Sequence, residues 1–178
     1  MPHRPSRSAD PLLNIEPHYS ADISTARDED VSDIRNNAMD FLESRGPSII
    51  GDLHSSTLIL AKVCISEAVT NPIKDKDVKP RKLEMRFSQG RFAVSVSDNG
   101  LLDPELAKNG GKMPENNEEA VSGRGLWIIS EASESFGFRQ TKPEPLIRSP
   151  RILGRALNRL ATPTGKELWF ILNAASDK

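Results

Sequence analysis

Glu67 and Asn71 stand four residues apart in the stretch CISEAVTNPIKD, Cys64 to Asp75, in which apolar residues dominate. On a helix that spacing puts both side chains on one face. A carboxylate there can act as a general base or orient a water, and an amide carbonyl is a hard oxygen ligand of the kind Mg²⁺ takes. The same pair also suits the polar edge of a half-buried helix. A second cluster is SVSDNG, Ser95 to Gly100. Asp98 can accept a hydrogen bond from the amino group of a base, and Gly100 lets a planar ring come close to the backbone. An Asp-Asn-Gly turn is equally a way of leaving a strand. The third is SGRGLW, Ser122 to Trp127, where glycines directly precede an apolar helix. Open amides at a helix start, with Arg124 beside them, make a phosphate site. A dinucleotide fingerprint is excluded, because neither the preceding strand nor the third glycine is in place.

The elements that must position these residues can be read from periodicity. Val31, Ile34, Ala38, Phe41 and Leu42 share one face of a first helix that Gly46 and Pro47 end. Ser55 or Ser56 caps a second helix, with Leu58, Ala61, Ile65, Ala68, Val69 and Ile73 as its apolar positions. KLEMRF, residues 82–87, and FAVSVSD, residues 92–98, alternate cleanly around a turn and predict a hairpin with one buried face. Asp103-Pro104-Glu105 opens a short helix, and residues 108–125 read as a glycine-rich loop. LWIISEASES predicts another helix, FGFRQ a strand, and GKELWFILNA a closing strand apolar enough to be central. Residues 1–22 read as a mobile tail, with LLNI, Leu12 to Ile15, as a possible edge strand. The order predicts an α/β two-layer sandwich: a mostly antiparallel mixed sheet with helices on one face.

Composition narrows the function classes. A net charge of −1 over 178 residues lacks the basic surplus of a bulk nucleic-acid binder. Cys64 is the single cysteine, so the chain has neither an internal disulfide nor a cysteine metal cluster, and its three histidines lack ligand spacing. No apolar run reaches the length of a membrane span or of a signal-peptide core, and a cytoplasmic protein is expected by default. Cys64, Trp127 and Trp169 read as core or interface residues.

Taken in order, SEAVTN (Ser66 to Asn71), SDNG (Ser97 to Gly100) and GRGL (Gly123 to Leu126) resemble the ATP-binding site of the GHKL superfamily, to which DNA gyrase and the histidine kinases belong. STAR (Ser24 to Arg27), FGF (Phe136 to Phe138) and GKELWF (Gly165 to Phe170) bring the chain nearest to the small anti-sigma-factor serine/threonine kinases. The resemblance covers about residues 22–140 and 164–174. It implies a Bergerat ATP-binding fold over residues 23–178, with ATP and Mg²⁺ as cofactors. Asn71 would hold the Mg²⁺ and Glu67 would be the base. Asp98 would bind the adenine amino group and Gly100 would line its pocket. Gly123 and Gly125 would bring amides to the phosphates, with Arg124 and Leu126 in the same segment, and residues 108–122 would form the ATP lid. A sigma factor and an anti-sigma-factor antagonist would be the partners, and the protein would be a homodimer.

Three departures from the family pattern stand out. Pro72 follows Asn71 directly and has no N–H for the Ala68 carbonyl, so the helix is expected to kink or to end near Asn71. Leu102 stands where the family often has a glycine. Residues 141–163 are longer than a simple connection, and Arg151, Arg155 and Arg159 form a stripe suited to an acidic partner or to a solvated helix face. These departures leave a second expectation, a catalytically degenerate nucleotide-binding or protein-interaction module of the same fold.

Overall fold

A computed structural model describes residues 11–88, 90–103, 124–141 and 165–174. The hairpin forms as its alternation dictates. Strand β2 spans Pro80–Ser88 and β3 spans Arg91–Asp98, paired in register with Leu83 opposite Val96, Met85 opposite Val94 and Phe87 opposite Phe92. Gly90, at φ 71°, takes the left-handed backbone that this turn requires. Strand β1 (Tyr19–Asp22) adds to the outer edge of β2, while β5 (Gly165–Asn173) lies between β3 and β4 (Ser135–Thr141). The order across the sheet is β1-β2-β3-β5-β4.

The expected mixed sheet is corrected here: each pairing among the described strands is antiparallel. Strand β5 is not central as expected: it lies second from the β4 edge, and β3 is the middle strand. It is nevertheless buried on both faces from Leu168 to Leu172, which is why its sequence is a continuous apolar run rather than an alternating one.

Helices α1 (Val31–Arg45), α3 (Ser55–Lys74) and α4 (Arg124–Ala132) cover one face, and a single turn, α2 (Pro47–Ile50), follows α1. Ala38 and Leu42 of α1, Ile65 and Val69 of α3 and Ile129 of α4 share one core with Leu83, Val94 and Phe170 of the sheet. α3 begins at Ser55, with His54 rather than a serine in the capping position. Its first turn is tied to the far end of β5, where the Thr57 hydroxyl donates to the Asn173 carbonyl at 3.2 Å.

The opposite face has a small cover of its own. A 3-10 turn, Pro11–Asn14, buries Leu12 and Leu13 against Ala93, Trp169 and Ile171. LLNI therefore forms a turn and not the expected edge strand, and Tyr19–Asp22 supplies that strand instead. Beside the turn, the buried Arg86 donates to the Ile15 carbonyl, the Ser95 hydroxyl and the Glu84 carboxylate, at 3.0, 3.1 and 2.6 Å.

Candidate functional site

α3 ends over one end of the sheet, and its last turns decide what is exposed there. Ala68 is buried, Asn71 exposed and Pro72 buried, and all three line a cleft of about 200 Å³. The helix does not stop near Asn71. It continues to Lys74 with Pro72 inside its last turn, two residues before its end. The proline ring fills the wall of the cleft; it forfeits the bond its N–H would donate to the Ala68 carbonyl, and with two residues beyond it little helix is left to kink.

After Lys74 the chain turns at once. The Asp75 carbonyl accepts from Val78 N–H at 3.1 Å, and both residues close another side of the cleft. The Asn99 amide oxygen then accepts from Lys79 N–H at 2.6 Å, while Asn99 N–H donates back to the Lys79 carbonyl at 3.1 Å. This exchange fixes the SDNG turn against the segment that follows α3. Val96 and Leu168, a cross-strand pair, form the floor, joined by Phe138 of β4 and Leu126 of α4.

Asp98 stands at the end of β3, 5% exposed, and faces this cleft. One carboxylate oxygen accepts from Gly100 N–H at 2.7 Å, which leaves the other for a further donor. Burial pushes the carboxyl above the ordinary aspartate range, opposed in part by Lys166 and by the Gly100 N–H. Lys166 is directly opposite Asp98 in the β3–β5 register and also lines the cleft. Gly100 is closely confined: a Cβ there would come within 3.0 Å of both Asp98 Oδ1 and Val78 Cγ2, and within 3.3 Å of Lys166 Nζ, so these side chains would have to give by a few tenths of an ångström.

Glu67 is half-buried and one turn back from Asn71 on α3, outside the lining of the cleft. Its carboxylate packs on Gly125, in the first turn of α4, so closely that any side chain at 125 would collide with it. An acidic group beside a helix N-terminus is favoured by the helix dipole. Burial, and then Glu67, push the neighbouring Cys64 thiol up to about 12, and a thiol so strongly protonated is a core group and no nucleophile.

Of the residues singled out in the sequence, Asn71, Asp98 and Leu126 line one cleft, with Gly100 in contact with Asp98 at its edge. Glu67 and Gly125 meet beside it. Arg124 begins α4 and is exposed, while Leu102 is not among the lining residues. Gly123, the lid at 108–122, the short helix opening at Asp103-Pro104 and the arginine stripe at 151–159 lie outside the described residues, Asp103 itself excepted. Sequence reasoning missed Lys166 and Asp75. The available signal for Lys166 was its place at the start of an apolar strand, but its facing Asp98 depends on register. No protein-family model matches the chain, and no curated protein matches it.

Proposed function

We propose that the chain binds Mg·ATP in this cleft and acts as a serine/threonine protein kinase of the anti-sigma-factor type, in a Bergerat-like fold. In this reading it holds a sigma factor in one state and phosphorylates an antagonist protein in another. The observation that carries the proposal is convergence: Asn71, Asp98 and Leu126, from three separate stretches of chain, line one cleft with apolar walls and few polar groups.

The residues present fit the nucleotide. At about 200 Å³ the cleft is smaller than the roughly 300–1,000 Å³ of sites that enclose a whole drug-sized ligand, so it suits the base alone. Val96, Leu168 and Leu126 offer flat apolar surface to the ring, and the remaining Asp98 oxygen accepts from its amino group. Asn71, exposed at the rim, offers its amide oxygen to Mg²⁺. Mg²⁺, when bound, neutralises phosphate charge. That role has particular weight beside Glu67, whose carboxylate stands against the first turn of α4 and would repel an unscreened phosphate.

One observation favours a second reading, a nucleotide-binding switch without phosphotransfer. Glu67, the candidate base, turns to Gly125 and not into the cleft. The two readings separate in one experiment. Calorimetric titration should show Mg·ATP binding that falls about tenfold or more in Asn71→Ala and in Asp98→Ala. Incubation with Mg·ATP and an antagonist protein should then yield phosphoserine or phosphothreonine on the antagonist. Binding without transfer to any antagonist leaves the switch, and unchanged affinity in both variants removes the site.

A further inference from the structure

We propose that Lys166 reads the base together with Asp98, its ammonium donating to the ring nitrogen next to the amino group that Asp98 accepts from. This rests on the reading of the cleft as a nucleotide site and gives that site its base specificity. The pairing is built into the sheet. Asp98 and Lys166 are direct cross-strand neighbours on the helix-covered face, so their side chains leave the strands side by side and in the same direction. Both line the cleft. Asp98 Oδ1 and Lys166 Nζ both stand within 3.3 Å of one point, the place a Cβ on Gly100 would occupy, so the two side chains end side by side at the edge of the cleft.

The polarity of the pair selects the base. One Asp98 oxygen accepts from Gly100 N–H at 2.7 Å, which fixes the carboxylate and leaves the other oxygen to accept from a base. Adenine presents one donor, its 6-amino group, beside one acceptor, N1. That edge is the complement of one oxygen and one ammonium. Guanine presents an acceptor and two neighbouring donors, N1–H and the 2-amino group. In the same pose guanine would set its O6 against the Asp98 carboxylate and its N1–H against the Lys166 ammonium, acceptor facing acceptor and donor facing donor, which is costly. Lys166 also opposes the burial that pushes Asp98 upward, which favours the charged acceptor. No other lysine or arginine lines the cleft among the described residues, so this donor has no substitute there.

The test compares ATP with 1-deaza-ATP, in which the N1 acceptor is replaced by C–H, on the full chain in Mg²⁺ buffer. Wild type should bind ATP about tenfold more tightly than 1-deaza-ATP, and GTP more weakly than ATP. Lys166→Met should bind ATP and 1-deaza-ATP alike, both near the wild-type affinity for 1-deaza-ATP. A merely structural lysine would weaken both ligands and preserve their ratio, which overturns the inference. Equal affinity of wild type for the two ligands overturns it without any variant. Failure of wild type to bind either ligand is a different outcome and removes the nucleotide reading itself.

Discussion

Asp98 keeps a carboxyl group 5% exposed at the end of a strand, and burial raises its pKa despite Lys166 and the Gly100 N–H. The folded chain therefore holds this proton more tightly than the unfolded one. Where the two states differ, the native state binds more protons, so stability falls as pH rises through the window above the ordinary carboxylate pKa and recovers on acidification. Asp98→Asn removes that dependence. Its melting temperature should exceed that of wild type at pH 7 to 8. The gap should close as pH falls toward about 4. Thermal melts across that range check it, and a gap that is constant with pH would contradict the burial argument. Asp98, Asn71 and Leu126 were legible in the sequence because each is a recognisable type beside a strand end, a helix face or a glycine pair. Lys166 was not, because its meaning comes from the residue opposite. A strand sequence shows which side chains share a face but not which partner each will meet.

The crossing of α3 and α4 sets where Glu67 can go. Gly125 brings α4 so near that the carboxylate fills the space of a side chain at 125. Gly125→Ala gains the better helix former but displaces Glu67, two effects of opposite sign and about 1 kcal/mol each. In wild type the change should be close to neutral for stability. In a Glu67→Ala background it should stabilise by about 1 kcal/mol more, a coupling that urea melts of the four proteins would measure. Additive effects would mean that the two groups do not share one space. Helix and strand identities were legible here: the periods of 3.6 and 2 predicted α1, α3, α4 and the hairpin. The end of α3 was not, because proline disfavours helix locally while burial of Pro72 in the cleft wall favours keeping the turn. Tertiary packing outweighed local preference, as it commonly does over a single turn.

For the molecule as a whole, the face of the sheet away from the helices is where sequence reading fell short. Residues 11–22 lack periodicity, since a four-residue turn and a four-residue strand are too short to display one. Trp169 and Ile171 nevertheless alternate with Phe170 and Leu172 along β5, so both faces of that strand need cover, and Leu12 and Leu13 provide it on the second. Leu12→Ala and Leu13→Ala should each cost about 2–4 kcal/mol if the turn is part of the core. Chemical denaturation would show this as a lower midpoint at unchanged slope. Losses under about 0.5 kcal/mol, the scale of an ordinary surface change, would make the turn an ornament.

The strand order also governs time. β2 and β3 are neighbours in the chain and need only the short turn at Gly90 to meet, whereas β1 reaches β2 across the whole of α1 and α3. Closing the longer loop costs more entropy before any contact rewards it, so the hairpin forms early and β1 docks late. The stretch synthesised before all these strands thus waits longest for its place. During that wait the outer edge of β2 is open to any passing strand, and crowding or slow release in that interval is the moment at which this chain is most exposed to pairing with another copy of itself.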